Sequence, residues 1–293
     1  MRTSTRYNRR GFVAVAGALT TMITGAVVAV GAAPASAVTI PVGSVIAVTQ
    51  SSGFSTGPSK TTTALCPADR PRVLGGGFTT TGTHLVVSQA QPLAGSPRDS
   101  YQVTVGFDQV GTTASWQLLV YAYCSSAAPG WQIVPATSTS TSDAFNEVIA
   151  TCPSGKEIVG TGGRITGGAG QVELVTQTGG LRGSVAGGLE DLDGFAGSWS
   201  ATAYAVCVTV ANPLDIHLVQ NQTASDTTNP KSVSVTCPSG MRLTGSAVWA
   251  DQPGNAINLR PDTSTPTGVT ATARNDSGSG GAFDLLVYGV CAL

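Results

Sequence analysis

Two histidines, a recurring set of acidic residues and six cysteines are the groups in this chain best suited to chemistry. A hydrolase of the nucleophilic kind needs a nucleophile, a base and an orienting group. With His84 and His217 as the only imidazoles, a Ser-His-Asp site must use one of them. Each lies in an alternating, strand-like segment, and the two do not occupy corresponding positions. The sequence holds no G-x-S-x-G elbow; Gly183-Ser184-Val185-Ala186-Gly187 has the wrong spacing. No cysteine sits in a C-x-x-C pair, so zinc-ligand spacing is missing. The expectation is a protein without a catalytic residue, cofactor or metal. Spacing alone does not decide whether two carboxylates meet for glycoside hydrolysis, because they can come from anywhere in a fold.

The acidic residues recur. Asp108, Asp191 and Asn275 each stand eight residues ahead of an aromatic residue, Trp116, Trp199 or Phe283, with Glu190, Asp193 and Asp276 beside them. Such a set has the oxygen chemistry to hold calcium or sugar hydroxyls, the Glu190/Asp191/Asp193 group above all. The favoured reading is simpler: Asp and Asn suit hairpin turns, where their side chains accept from local backbone N–H groups. Trp116, Trp199 and Phe283 each open an apolar segment and belong to the core. Trp131 and Trp249 fall outside this pattern. They are better candidates for an exposed stacking platform than the aligned aromatics, but core packing is the favoured role.

The elements that position these groups come in three copies. Ala64-Leu65-Cys66-Pro67-Ala68-Asp69, Ala150-Thr151-Cys152-Pro153-Ser154-Gly155 and Val235-Thr236-Cys237-Pro238-Ser239-Gly240 align, with their cysteines 86 and 85 residues apart. Each copy closes alike, the aromatic residue lying eight positions before Cys124, Cys207 or Cys291. Val48, Val134 and Val219 each precede the C-P cysteine by 18 residues. Three repeats of about 85 residues follow, with bounds at 38–128, 129–213 and 214–293. Six cysteines allow 15 pairings. Equivalence of the copies selects Cys66–Cys124, Cys152–Cys207 and Cys237–Cys291.

Within a repeat the pattern is β. Ser232 to Cys237 alternates with period two, as a half-buried strand does. Cys-Pro-Ser-Gly then reads as a tight turn. Glycines interrupt the next apolar strand at corresponding places (Gly75-Gly76-Gly77, Gly160 with Gly162-Gly163, and Gly245), predicting a bulge or a close strand crossing. About six strands per repeat are expected.

Met1–Arg10 is basic, Gly11–Ala33 is apolar, and Ala35-Ser36-Ala37 is a small-x-small cleavage pattern, so residues 1–37 read as a signal peptide. Arg9-Arg10-Gly11-Phe12-Val13 also resembles a twin-arginine export motif, which leaves the export route open. Secretion fits cysteines used as disulfides. With the four leader arginines removed, 11 Lys+Arg face 16 Asp+Glu, a formal charge of −5. That excludes nucleic acid as a partner, since such binding rests on a basic surface. No further apolar run of about 20 residues follows the leader, so no membrane span is expected after its removal. Charged residues are only 11% of the chain and Gly numbers 37, a composition unsuited to helical bundles.

The C-P-[AS]-[GD] run followed by a glycine-interrupted apolar strand, in triplicate and behind a secretion leader, resembles the vitelline membrane outer layer protein I family. That resemblance implies a β-prism, three sheets about a pseudo-threefold axis. This chain departs from the family in unit length, its repeat being distinctly longer, and the resemblance transfers no functional residue. Three tandem β-sandwich modules are the competing architecture. For function, the expectation is a secreted, non-enzymatic structural or interaction protein braced by disulfides, outside the cell or on the cell wall, with an extracellular partner. The alternative is a lectin-like protein that binds glycan or cell-wall polysaccharide through loops at one end of the repeats.

Overall fold

The computed structural model describes residues 44–168, 170–178, 180–210, 215–250, 255–261, 266–276 and 281–293. The signal peptide read at 1–37 lies outside them. The described residues form antiparallel β-sheets throughout, with a 3-10 turn at Gly180–Arg182 and no α-helix. The first six strands are β1 (Ile46–Ser51), β2 (Ser59–Leu65), β3 (Arg72–Thr80), β4 (Leu85–Leu93), β5 (Ser100–Phe107) and β6 (Leu118–Ser125). Next come β7 (Gln132–Thr137), β8 (Phe145–Thr151), β9 (Lys156–Thr166), β10 (Val172–Thr178), β11 (Gly183–Glu190) and β12 (Ser200–Thr209). The last six are β13 (Ile216–Gln222), β14 (Lys231–Thr236), β15 (Arg242–Ala250), β16 (Asn255–Pro261), β17 (Gly268–Asn275) and β18 (Leu285–Ala292).

Each group of six builds two three-stranded ladders. In the first group the orders are β1-β6-β3 and β4-β5-β2, and the other two groups repeat them. Ladders from different groups then join. β3 pairs with β16 at Phe78↔Leu259, and β4 pairs with β9 at Gln89↔Arg164 and Ala90↔Gly163, giving two six-stranded sheets. β10 lies beside β15 at the third junction, where the ladders remain two three-stranded sheets. β2 shows why these sequences make strands: its inward Lys60, Thr62 and Ala64 are buried, and Thr61 and Leu65 are exposed. That alternation is what a one-sided sheet requires.

Strands β3, β9 and β15 each carry a register shift where they pair with the closing strand of their group. The shifts sit at the glycines singled out above, and they bring three of those glycines together. A Cβ on Gly75 would lie 2.9 Å from Gly245 Cα, one on Gly245 would lie 2.6 Å from Gly160 Cα, and one on Gly160 would lie 3.1 Å from Gly75 Cα. Three backbones therefore touch at one point, and only glycine leaves room for that approach. Leu74, Val159 and Thr244, each next to one of these glycines, have no exposed surface.

The three disulfides join Cys66–Cys124, Cys152–Cys207 and Cys237–Cys291, each with Cα atoms 5.7 Å apart. This is the pairing that equivalence of the copies selects. All are buried beside the C-P turns, in which Arg70, Lys156 and Met241 N–H groups donate to Pro67, Pro153 and Pro238 carbonyls. Gly155 and Gly240 supply the positive φ that the turn needs, at 79° and 86°. The disulfides mark one end of the sheets. The acidic turns stand at the other.

Candidate functional site: the turn end

Strands β5, β11 and β17 end at Phe107, Glu190 and Asn275, so the next residues are Asp108, Asp191 and Asp276. By strand ends, Asp276 and not Asn275 is the counterpart of Asp108 and Asp191. Counting eight residues back from Phe283 reaches Asn275 because the third turn is one residue shorter.

These turns meet. The His84 ring Nδ1 lies 2.9 Å from Asp108 Oδ2, and the His84 amide N–H donates to Asp276 Oδ2 at 3.1 Å. His84 has φ +56°, the one positive φ outside glycine among the described residues. That conformation is uncommon for a non-glycine residue, and here it aims the amide and the ring at carboxylates from two different turns. Arg274 Nε stands 3.8 Å from Asp276 Oδ1. On the other side, Gln109 Nε2 donates to both oxygens of Asp193 at 3.2 and 3.0 Å. The turn at Asp108 is thus tied to the turn of each other group.

Other carboxylate oxygens here hold their own loops. Asp108 Oδ1 accepts from the N–H groups of Val110 and Gly111, both at 2.8 Å. Glu190, 6% exposed, accepts from Trp199 Nε1 at 2.9 Å and from the Phe195 N–H at 3.1 Å. Asp191 Oδ1 accepts from the Gly194 N–H. Burial, then the neighbouring Asp193 carboxylate, push the Asp191 carboxyl up to about 6, and Glu190 adds a smaller repulsion. Asp193 is held below its ordinary value, first by its hydrogen bond from Gln109.

The aromatic residues behind the turns are core: Trp116, Trp199 and Phe283 are at most 1% exposed. Trp131 is half-buried; its Nε1 donates to Val73 O at 2.7 Å, and the Arg72 guanidinium covers its ring at 5.1 Å. Trp249 is half-buried with the Phe145 ring edge-on at 5.6 Å. His217 pairs in register with Cys291, at the end opposite His84, so the two imidazoles share no site.

Two buried lysines were not singled out in the sequence. Lys60 Nζ donates to Gly53 O, Ser55 Oγ and Trp116 O at 3.0, 2.8 and 2.7 Å, and lies 4.8 Å over the Trp116 ring. Lys231 Nζ donates to Ala224 O and Asp226 Oδ1 and lies 5.1 Å over Phe283. Both stand six residues before a C-P cysteine, and Asn146 holds that place in the second group, donating to Ser138 Oγ and Thr139 O. That shared position was the available signal.

Charge divides between the ends. The turn end carries Asp108, Asp143, Glu190 and Asp191 together with Asp193, Asp226, Asp276 and Asp284. Against these stand Arg274 and the two buried lysines, with Arg164 near the end of β9. The disulfide end has Arg70, Arg72, Arg98, Lys156, Arg182 and Arg242 against Asp69, Asp99, Glu157 and Asp215.

An open groove of about 470 Å³ lies at the turn end, between the β3–β4 connection and strands β14 and β17. Thr80–Thr83 and Ala114 form one wall, with Ser232, Thr272 and Arg274 opposite. Comparison with models of known protein families found none that matches this chain, and comparison with curated proteins found no relative.

Proposed function

We propose that this is a secreted, non-enzymatic structural or interaction protein, a disulfide-braced β scaffold that presents loops at one end. The observation that carries this reading is the use made of its recurring polar residues. His84, Asp108, Gln109, Asp193 and Asp276 link the three turns to one another, and Glu190 and Asp191 close their own turn. Three disulfides suit an extracellular protein, and among the described residues no helix is long and apolar enough to cross a membrane.

The reading includes a three-fold, prism-like arrangement of the repeats. Its support is the recurrent strand order, the junctions that always link one repeat to another, and the meeting of Gly75, Gly160 and Gly245. Tandem sandwiches would each close on themselves and need no such junctions.

Fractionation of cells producing the full chain tests the extracellular assignment, and a panel of hydrolase substrates tests the absence of catalysis. The expected result is protein in the medium or on the cell wall, without turnover. Turnover that disappears in the double variant His84→Gln/His217→Gln overturns the reading.

A further inference from the structure

We propose that the groove between the β3–β4 connection and strands β14 and β17 binds a neutral saccharide. The inference rests on the reading of the chain as an interaction protein and names a ligand class for it. Its volume of about 470 Å³ falls in the range of about 300–1,000 Å³ that small-molecule sites occupy.

What separates this groove from the acidic turns is the state of its polar groups. Among the described residues, the side-chain hydroxyls of Thr83, Ser232 and Thr272 make no hydrogen bond. Ser234 and Thr270, the neighbouring register pair on the same two strands, bond each other at 2.8 Å. Ser232 and Thr272 also face each other in register, yet both remain available toward the groove. Arg274 engages Asp276 through Nε alone, at 3.8 Å, and its side chain is 46% exposed. The groove therefore offers hydroxyls that can donate or accept and a guanidinium that donates. A ring bearing several hydroxyls complements that set at every position.

Electrostatics selects a neutral ring over an acidic one. The groove opens at the end rich in carboxylates, with Asp276 beside its single exposed cation, so an anionic sugar approaches against the local field.

The corresponding junction between the first two groups is drawn tight. There the β9–β10 turn lies against β5, where a Cβ on Gly170 would stand 2.5 Å from Phe107 O. The inference is of the one site that the β3–β4 connection lines.

The test is titration of the intact, disulfide-bonded protein with cellotetraose, maltotetraose, N-acetylchitotetraose and, as the acidic arm, tetragalacturonate, followed by amide NMR shifts. The expected result is that a neutral tetrasaccharide shifts the amides of Thr83, Ser232 and Thr272. Arg274→Ala and Thr272→Val weaken its binding at least tenfold, and Ala114→Trp, which fills the groove from its exposed rim without removing a polar group, does the same. Tetragalacturonate binds at least tenfold more weakly. The proposal is overturned if no neutral tetrasaccharide binds at millimolar concentration, if the shifts map elsewhere, if Ala114→Trp binds as the parent does, or if the acidic sugar binds best. Any of these leaves the interaction reading to the fractionation and turnover assays.

Discussion

At the scale of single residues, the polar side chains of the turn end act mainly on the fold, and pH exposes the sign. Asp191 has its folded pKa raised from 3.8 to about 6. Between those values the folded state binds more protons than the unfolded chain, so stability declines as pH rises from about 4 to 6. Asp191→Asn removes that decline: relative to the parent, the variant gains stability above pH 6 and gains none of it below pH 4, read as the difference in denaturant midpoint. Asp226 behaves oppositely. Lys231 first, then the Thr228 backbone, lowers it to about 2, so its contribution is full above pH 4 and disappears as pH falls toward 2. Lys60 is 8% exposed and meets its needs with two carbonyls, a hydroxyl and an aromatic face. Lys60→Met takes the ammonium donor from the buried Trp116 carbonyl, and an expected loss of about 1–3 kcal/mol in urea unfolding checks this. A loss below about 0.5 kcal/mol contradicts the role assigned to the amine.

At the scale of elements, alternation made β14 legible in the sequence, and repetition made the disulfide pairing legible, because a strand's period and a copy's equivalence are both one-dimensional properties. The contacts between turns were not. Nothing in the spacing of Asp108 says that His84 will adopt a positive φ and reach Asp276, 192 residues away. Trp131 and Trp249 broke the repeat for a reason that only packing reveals: each sits against a neighbouring element, under Arg72 or beside Phe145. The groove was illegible too, since it depends on how two groups of strands fail to fill the space between them. The interrupting glycines, legible as a bulge or a crossing, make both. Gly160→Ala drives a Cβ into Leu74 O, whereas Gly155 has nothing within 4 Å of its Cβ position. Overpacking costs about 1–3 kcal/mol and occasionally more. Gly160→Ala is expected at the top of that range or beyond, with thermal unfolding as the readout. Gly155→Ala, strained only by its φ of 79°, is expected to lose about 1 kcal/mol. Equal losses contradict the central crossing.

At the scale of the whole molecule, the account rests on interdependence. Each disulfide closes a loop of 54 to 58 residues, which the chain-entropy model values at about 4 kcal/mol. That bracing acts within a group of strands. Cohesion between groups comes from the junctions of β3 with β16 and β4 with β9, the packing of β10 on β15, and the glycine meeting point. If those contacts hold the molecule together, no group unfolds alone. Scanning calorimetry of the intact, disulfide-bonded protein measures this directly. The account predicts one transition whose calorimetric and van't Hoff enthalpies agree. Three separable transitions, or a calorimetric enthalpy about three times the van't Hoff value, would show three independent modules and contradict it.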